Sequence, residues 1–187
     1  MLEVVALYWI KIFVTLVVFI VLIIFFIRSG REQSSISGSI LVRNELDLLN
    51  DNYTVFCNVN IQTERGMTQI PYVVVSPFGI FVMTCCYHVG KISGRESDQE
   101  WNIKNRGINE TMTNPLWENR KHINDIEKKI DLELHYIPLI VFTYSKLVND
   151  FGPAVVRVGR LRDFFAIYEK TLVSQADQKS VINILKE

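Results

Sequence analysis

Residues 69–86 read QIPYVVVSPFGIFVMTCC. Two apolar β-branched runs flank Ser76-Pro77-Phe78-Gly79. Gly79 can take a positive φ at little cost and Pro77 favours a tight turn. The stretch is therefore expected to be a hairpin of two strands, with Val73, Val74 and Val75 buried on both faces.

Upstream, Tyr53 to Ile61 alternates as a further strand, after the stop signal Asn50-Asp51-Asn52. A first helix is expected over 39–50, where Ile40, Leu41, Leu48 and Leu49 recur at helical spacing. Downstream, Lys91-Ile-Ser-Gly94 is expected as a short strand, and Trp101 sits in another. Asn114-Pro115 opens a long helix, with Asn as cap and Pro in the first turn. Trp117, Ile123, Ile126 and Ile130 continue it at near-helical intervals. Residues 136–143 and 154–158 read as strands, and 161–170 and 176–186 as closing helices, the last with a capping box from Ser174 to Asp177. The expected fold class is α/β, a central mixed β-sheet flanked by helices.

The first 27 residues differ from the rest. Between Val4 and Ile27 only Lys11 and Thr15 fall outside the apolar set, and Ile12 to Ile27 is interrupted by Thr15 alone. As a helix this run would extend roughly 36 Å, against a bilayer core about 30 Å thick. A cleaved signal would need a basic start, a shorter apolar stretch and a small-residue cleavage site. The start is Met1-Leu2-Glu3 and the run ends on Arg28-Ser29-Gly30-Arg31. One transmembrane helix is thus expected in residues 1–30, bounded by Val4, Lys11, Ile12, Ile27 and Arg28. A polar linker over 31–37 and a domain over 38–187 follow. By the positive-inside rule Arg28 and Arg31 favour a cytoplasmic side for that domain.

The chain of 187 residues carries 20 basic and 20 acidic side chains, for a net charge of zero. Removing residues 1–27 removes one charge of each sign, Lys11 and Glu3, so the remainder is also balanced. A nucleic-acid grip usually shows a basic excess, so nucleic acid is not expected as a partner. Three cysteines make no disulfide framework. Adjacent Cys85 and Cys86 on a strand point to opposite faces and cannot readily chelate one ion; buried small hydrophobes are the preferred reading. No metal site and no cofactor motif is found. The basic clusters visible in the sequence, Arg120-Lys121-His122 and Arg157, Arg160 and Arg162, are read as solvated surface.

Residues 68–94, with Trp101 and the run Asn114-Pro-Leu-Trp-Glu-Asn-Arg-Lys-His-Ile123, resemble the nuclease-related domain (NERD) family. The resemblance covers about residues 38–142 and implies a restriction-endonuclease-like fold. In such enzymes carboxylates hold a divalent ion and a lysine orients the attacking water. The family has Gly-Glu at the first helix, Gln-Ile-Asp opening the second strand and Glu-x-Lys ending the third. Those ionisable positions fall here on Ser39, Pro71, Thr84 and Cys86. The spacing survives and every ionisable group is gone. Glu118 stands where the family has Gln. With His122 four residues on, it is the candidate for a relocated site; a solvated helix face is the reading preferred for the pair.

The resemblance and the emptied positions lead to one expectation. The protein is a catalytically inactive nuclease-like domain on a membrane anchor, an accessory protein-interaction subunit of a membrane complex. The bilayer and protein partners are its expected contacts, at the inner (cytoplasmic) membrane of a bacterium. The alternative is a diverged metal-dependent nuclease or DNA-binding protein at the membrane.

Overall fold

The computed structural model describes residues 2–64 and 66–186, with the side chains of 2–8, 10–11 and 24–34 outside the description. The chain divides into two units, with the boundary after Ser37.

In the first unit the described residues belong to helix α1, Leu2–Leu46. The polar stretch 31–37, expected as a linker, falls within this helix. Trp9 and the large apolar residues from Ile12 to Ile23 are exposed. Among the described residues no helix is long and apolar enough to cross a membrane. Of the expected anchor, Val4, Lys11, Ile27 and Arg28 have side chains outside the description.

The second unit is an α/β arrangement with two mixed sheets. Strands β1 (Thr54–Thr63), β2 (Gly66–Ser76), β3 (Gly79–Cys86), β7 (Tyr136–Phe142) and β9 (Val155–Arg157) form the larger sheet in the order β1-β2-β3-β7-β9. The first three run antiparallel, whereas β3, β7 and β9 are parallel. A parallel pair requires a crossover. Here the chain between β3 and β7 holds most of the second sheet and helix α2 (Pro115–Ile130). That sheet has the order β6-β5-β4-β8, from β4 (Gly90–Ser93), β5 (Glu100–Asn105), β6 (Ile108–Thr113) and β8 (Ser145–Leu147).

The expected hairpin is β2–β3. Ser76 pairs with Gly79, whose φ is 154°. A Cβ on Gly79 would stand 2.6 Å from Ile137 Cδ1 and 2.9 Å from the His135 carbonyl, so a larger residue would collide with β7.

Alternation sends the strand side chains to two layers. Val42 and Leu46 of α1 and Phe164 and Phe165 of α3 (Leu161–Ala166) pack against Tyr72, Val74, Phe81 and Met83. On the other face, Ile126 and Ile130 of α2 and Val181 of α4 (Gln175–Lys186) pack against Val73, Val75, Ile80 and Val82. The pattern slips once. Val55 and Cys57 join the α1 layer, while Val59 and Ile61 join the α2 layer. Between the pairs Cys57↔Tyr72 and Val59↔Ile70 stand Asn58, at φ 53°, and Pro71. Proline has no N–H for the ladder and asparagine tolerates a left-handed backbone, so the strands re-aim at this point.

A third cluster joins the second sheet to the first. It holds Ile92, Trp101 and Ile103 against Cys86, Leu116, Ile140, Phe142 and Phe151.

Candidate functional site

Along β3, Thr84 and Cys86 point toward α2, and Cys85 points to the α1 layer. Thr84 is 4% and Cys86 5% exposed. Pro71 directly precedes Tyr72, the β2 residue of the last β2–β3 pair, Tyr72↔Met83, and lies where β2 re-aims. Thr84 and Cys86 thus share one face at the end of β3, beyond the last β2–β3 pair. Ser39 lies on α1, which packs on the opposite face, and its carbonyl accepts a hydrogen bond from the Tyr72 hydroxyl at 3.2 Å.

Helix α2 supplies the other wall. Its start is fixed locally: Asn114 Oδ1 accepts from the Leu116 N–H at 3.0 Å, with Pro115 in the first turn. The Asn114 amide donates to the carbonyls of Glu96 and Asp98, which ties the helix start to the β4–β5 loop. One turn on, Asn119 and His122 face the sheet three residues apart.

Asn119 Nδ2 donates to the Val82 carbonyl at 2.8 Å and to Thr84 Oγ1 at 3.1 Å. Thr84 Oγ1 and His122 Nδ1 lie 3.2 Å apart. A carbonyl can only accept, so the Asn119 amide is oriented with its nitrogen toward Val82. The Thr84 oxygen takes one Asn119 proton, and the direction of its hydrogen bond with Nδ1 follows the His122 tautomer. Asn119 Oδ1 is buried without a hydrogen-bond partner.

His122 Nε2 lies 4.0 Å from Glu118 Oε1, and the Glu118 side chain is 57% exposed. Burial holds the His122 pKa below its ordinary value, although Glu118 and Asp125 pull the other way. The contact is therefore a neutral ring beside a carboxylate, longer than a hydrogen bond. The sequence expectation of a solvated helix face is corrected for His122, which is 6% exposed. The cause is the register of α2 on β3, which the helix alone does not reveal.

This geometry sets a pH dependence. The unfolded chain takes up a proton at His122 near pH 6.5, and the folded chain resists it. Stability from this group is complete above pH 6.5 and declines as the pH falls below it. Melts at pH 7.5, 6.5 and 5.5 should show that decline. The variant His122→Gln should have a shallower slope, by up to about 1.4 kcal/mol per pH unit.

Burial pushes the Cys86 thiol well above its usual range and the Cys85 thiol up to about 12. Both are protonated at neutral pH. The third free cysteine, Cys57, has Sγ 2.8 Å from Arg43 Nη1.

The donors at the family positions do not fit a hard divalent ion. Such an ion is held by anionic oxygens. Thr84 offers a hydroxyl already engaged twice, Cys86 a protonated thiol, and Pro71 nothing. Among the described residues no group of three His, Cys, Asp or Glu side chains is placed to hold a metal.

The sequence reading picked out Thr84, Cys86, Glu118 and His122 but missed Asn119. Its one signal was the three-residue spacing from His122 on a helix with an apolar face.

The nuclease-related domain family matches residues 34–143, from the C-terminal part of α1 through β7. An uncharacterized protein of Bacillus anthracis is 33% identical over 108 residues, which is 57% of this chain and 51% of that protein. The chain thus spans about half the length of the curated relative it matches. No solved structure matches the chain.

Proposed function

The chain belongs to the nuclease-related domain family, and on that premise we propose that it is a catalytically inactive member. It is anchored in the inner membrane by residues 4–27 and acts as an accessory protein-interaction subunit of a membrane complex. One observation carries the inactive reading. The positions of the family's Asp, Glu and Lys hold Pro71, Thr84 and Cys86, and the latter two are walled in by α2 and the second sheet. A substrate phosphate would meet neither a metal-binding carboxylate nor a lysine there. The anchor rests on the apolar run from Val4 to Ile27, broken only by Lys11 and Thr15, and Arg28 and Arg31 after it favour a cytoplasmic domain.

Two measurements on the full chain test this. With Mg²⁺ or Mn²⁺ supplied, no cleavage of DNA or RNA is expected. A purification from detergent-solubilised membranes should retain a protein partner in fixed ratio. The exposed Glu118 carboxylate beside His122 is the feature that favours the rival reading of a diverged nuclease. Cleavage abolished by Glu118→Ala would establish that rival.

A further inference from the structure

The arginines that cluster in the sequence are largely neutralised. Arg160 Nε pairs with Asp163 at 2.6 Å, Arg162 with Glu45 at 3.0 Å, and Arg120 with Glu96 at 3.5 Å. A different cationic group forms from residues far apart in the chain. In the second sheet Lys91 of β4 pairs in register with Lys104 of β5 on one side and with Lys146 of β8 on the other. Directly paired residues point to the same face. All three lysines are exposed, while their neighbours Ile92, Trp101 and Ile103 are buried on the opposite face. None of the three has an ion-pair or hydrogen-bond partner among the described residues.

The three lysines therefore stand side by side on adjacent strands whose backbones lie about 4.8 Å apart. Like charges placed directly opposite repel, and an anionic surface relieves that repulsion. Most of the other strand residues on this face are uncharged and polar. Asn102 pairs with Ser93 and Thr111, and Asn109 pairs with Lys104. Its carboxylate is Glu100, at the far end of β5. None of the strand residues on this face is aromatic, so they offer no ring on which a base could stack, the usual device of single-strand binding.

We propose that this face of the second sheet docks on the phosphate plane of an anionic bilayer. The inference rests on the membrane reading, because the apolar run of the same chain holds the domain within reach of a leaflet. Each lysine near such a surface should raise partition about fivefold.

The test is amine-reactive labelling of the full chain in nanodiscs, read residue by residue by mass spectrometry. One set contains phosphatidylcholine alone, the other about one-third phosphatidylglycerol. Labelling of Lys91, Lys104 and Lys146 should fall roughly threefold or more in the anionic discs and recover at about 0.5 M salt. Lys128 and Lys179 should label equally in both. The variant Lys104→Glu, folded by circular dichroism, should lose the protection of Lys91 and Lys146. Equal labelling in the two discs overturns the proposal. So does equal protection in neutral discs from an added oligonucleotide or inorganic phosphate. A chain that does not enter neutral discs overturns the anchor reading instead. Phosphatidylglycerol vesicles added to that chain from solution then decide the lysine face separately.

Discussion

Replacing Trp101 with alanine is expected to lower the unfolding free energy by about 4 kcal/mol, in the range for deleting a buried indole. Trp101 is fully buried. Its ring centroid lies 4.2 Å from that of Phe151 and 6.2 Å from that of Phe142, and Nε1 donates to the Arg95 carbonyl at 2.8 Å. Gly94 lies against the same ring; a Cβ there would stand 2.5 Å from Trp101 Cδ1. The indole is thus the bolt between the second sheet and β7, and alanine leaves a cavity and an unanswered carbonyl. A domain of this size shifts its melting temperature by about 2–4 °C per kcal/mol, so a fall near 10 °C should appear in a thermal melt of the full chain. Trp101→Phe keeps most of the volume and should lose about half as much. A loss below about 1 kcal/mol would mean that the second sheet does not depend on this contact.

Trp101 also marks the limit of what the sequence shows. Local rules place β2 and β3, because alternation, Pro77 and Gly79 act within a few residues. They place the start of α2 for the same reason, through Asn114 and Pro115. They miss β6, whose residues Ile-Asn-Glu-Thr-Met-Thr are almost entirely exposed at a sheet edge and lack an apolar alternation. Its hairpin turns on Arg106 and Gly107, both at positive φ, without the Asn-Gly signal that marks such turns. The first helix was expected to reach residue 50 and ends at Leu46. The third ends at Ala166 rather than near 170, where Tyr168 leaves helical register to pack on Phe81 and Phe164.

Side-chain chemistry divides along the same line. The family spacing located Thr84 and Cys86, and alternation put Cys85 and Cys86 on opposite faces. The partners of Thr84 lie 35 and 38 residues away, and Asn119 in a polar stretch of helix reads as surface until β3 is laid against it. The lysine row is equally invisible, since Lys91, Lys104 and Lys146 meet only through strand register. Formal neutrality of the chain therefore hides one face of unpaired cations, while the buried contacts among Thr84, Asn119 and His122 carry no formal charge.

Returning the family's charges to that buried site should destabilise the fold. Thr84→Glu puts a longer side chain in a position 4% exposed, beside the unpartnered Asn119 Oδ1 and a His122 that burial keeps neutral. Asn119 Nδ2, which reaches position 84, also serves the Val82 carbonyl, so it offers a single N–H to a carboxylate that has lost its water. Cys86→Lys puts an ammonium among Ile92, Leu116, Ile140 and Phe142. Each single change should cost about 3 kcal/mol or more, from overpacking and an unpaired buried charge. The two positions share a face two residues apart, so the double variant should recover roughly 1–2 kcal/mol of the summed loss as an ion pair. Chemical denaturation of the four chains gives that cycle directly. Mg²⁺ should add nothing to the double variant, because Pro71 still supplies no carboxylate. With Pro71→Asp added, a Mg²⁺-dependent gain in stability becomes possible, since a ligand that binds only the native state stabilises it by mass action. If Thr84→Glu and Cys86→Lys were instead tolerated at a cost below about 1 kcal/mol, the site would be open and solvated, and the structural support for the proposed inactivity would fall.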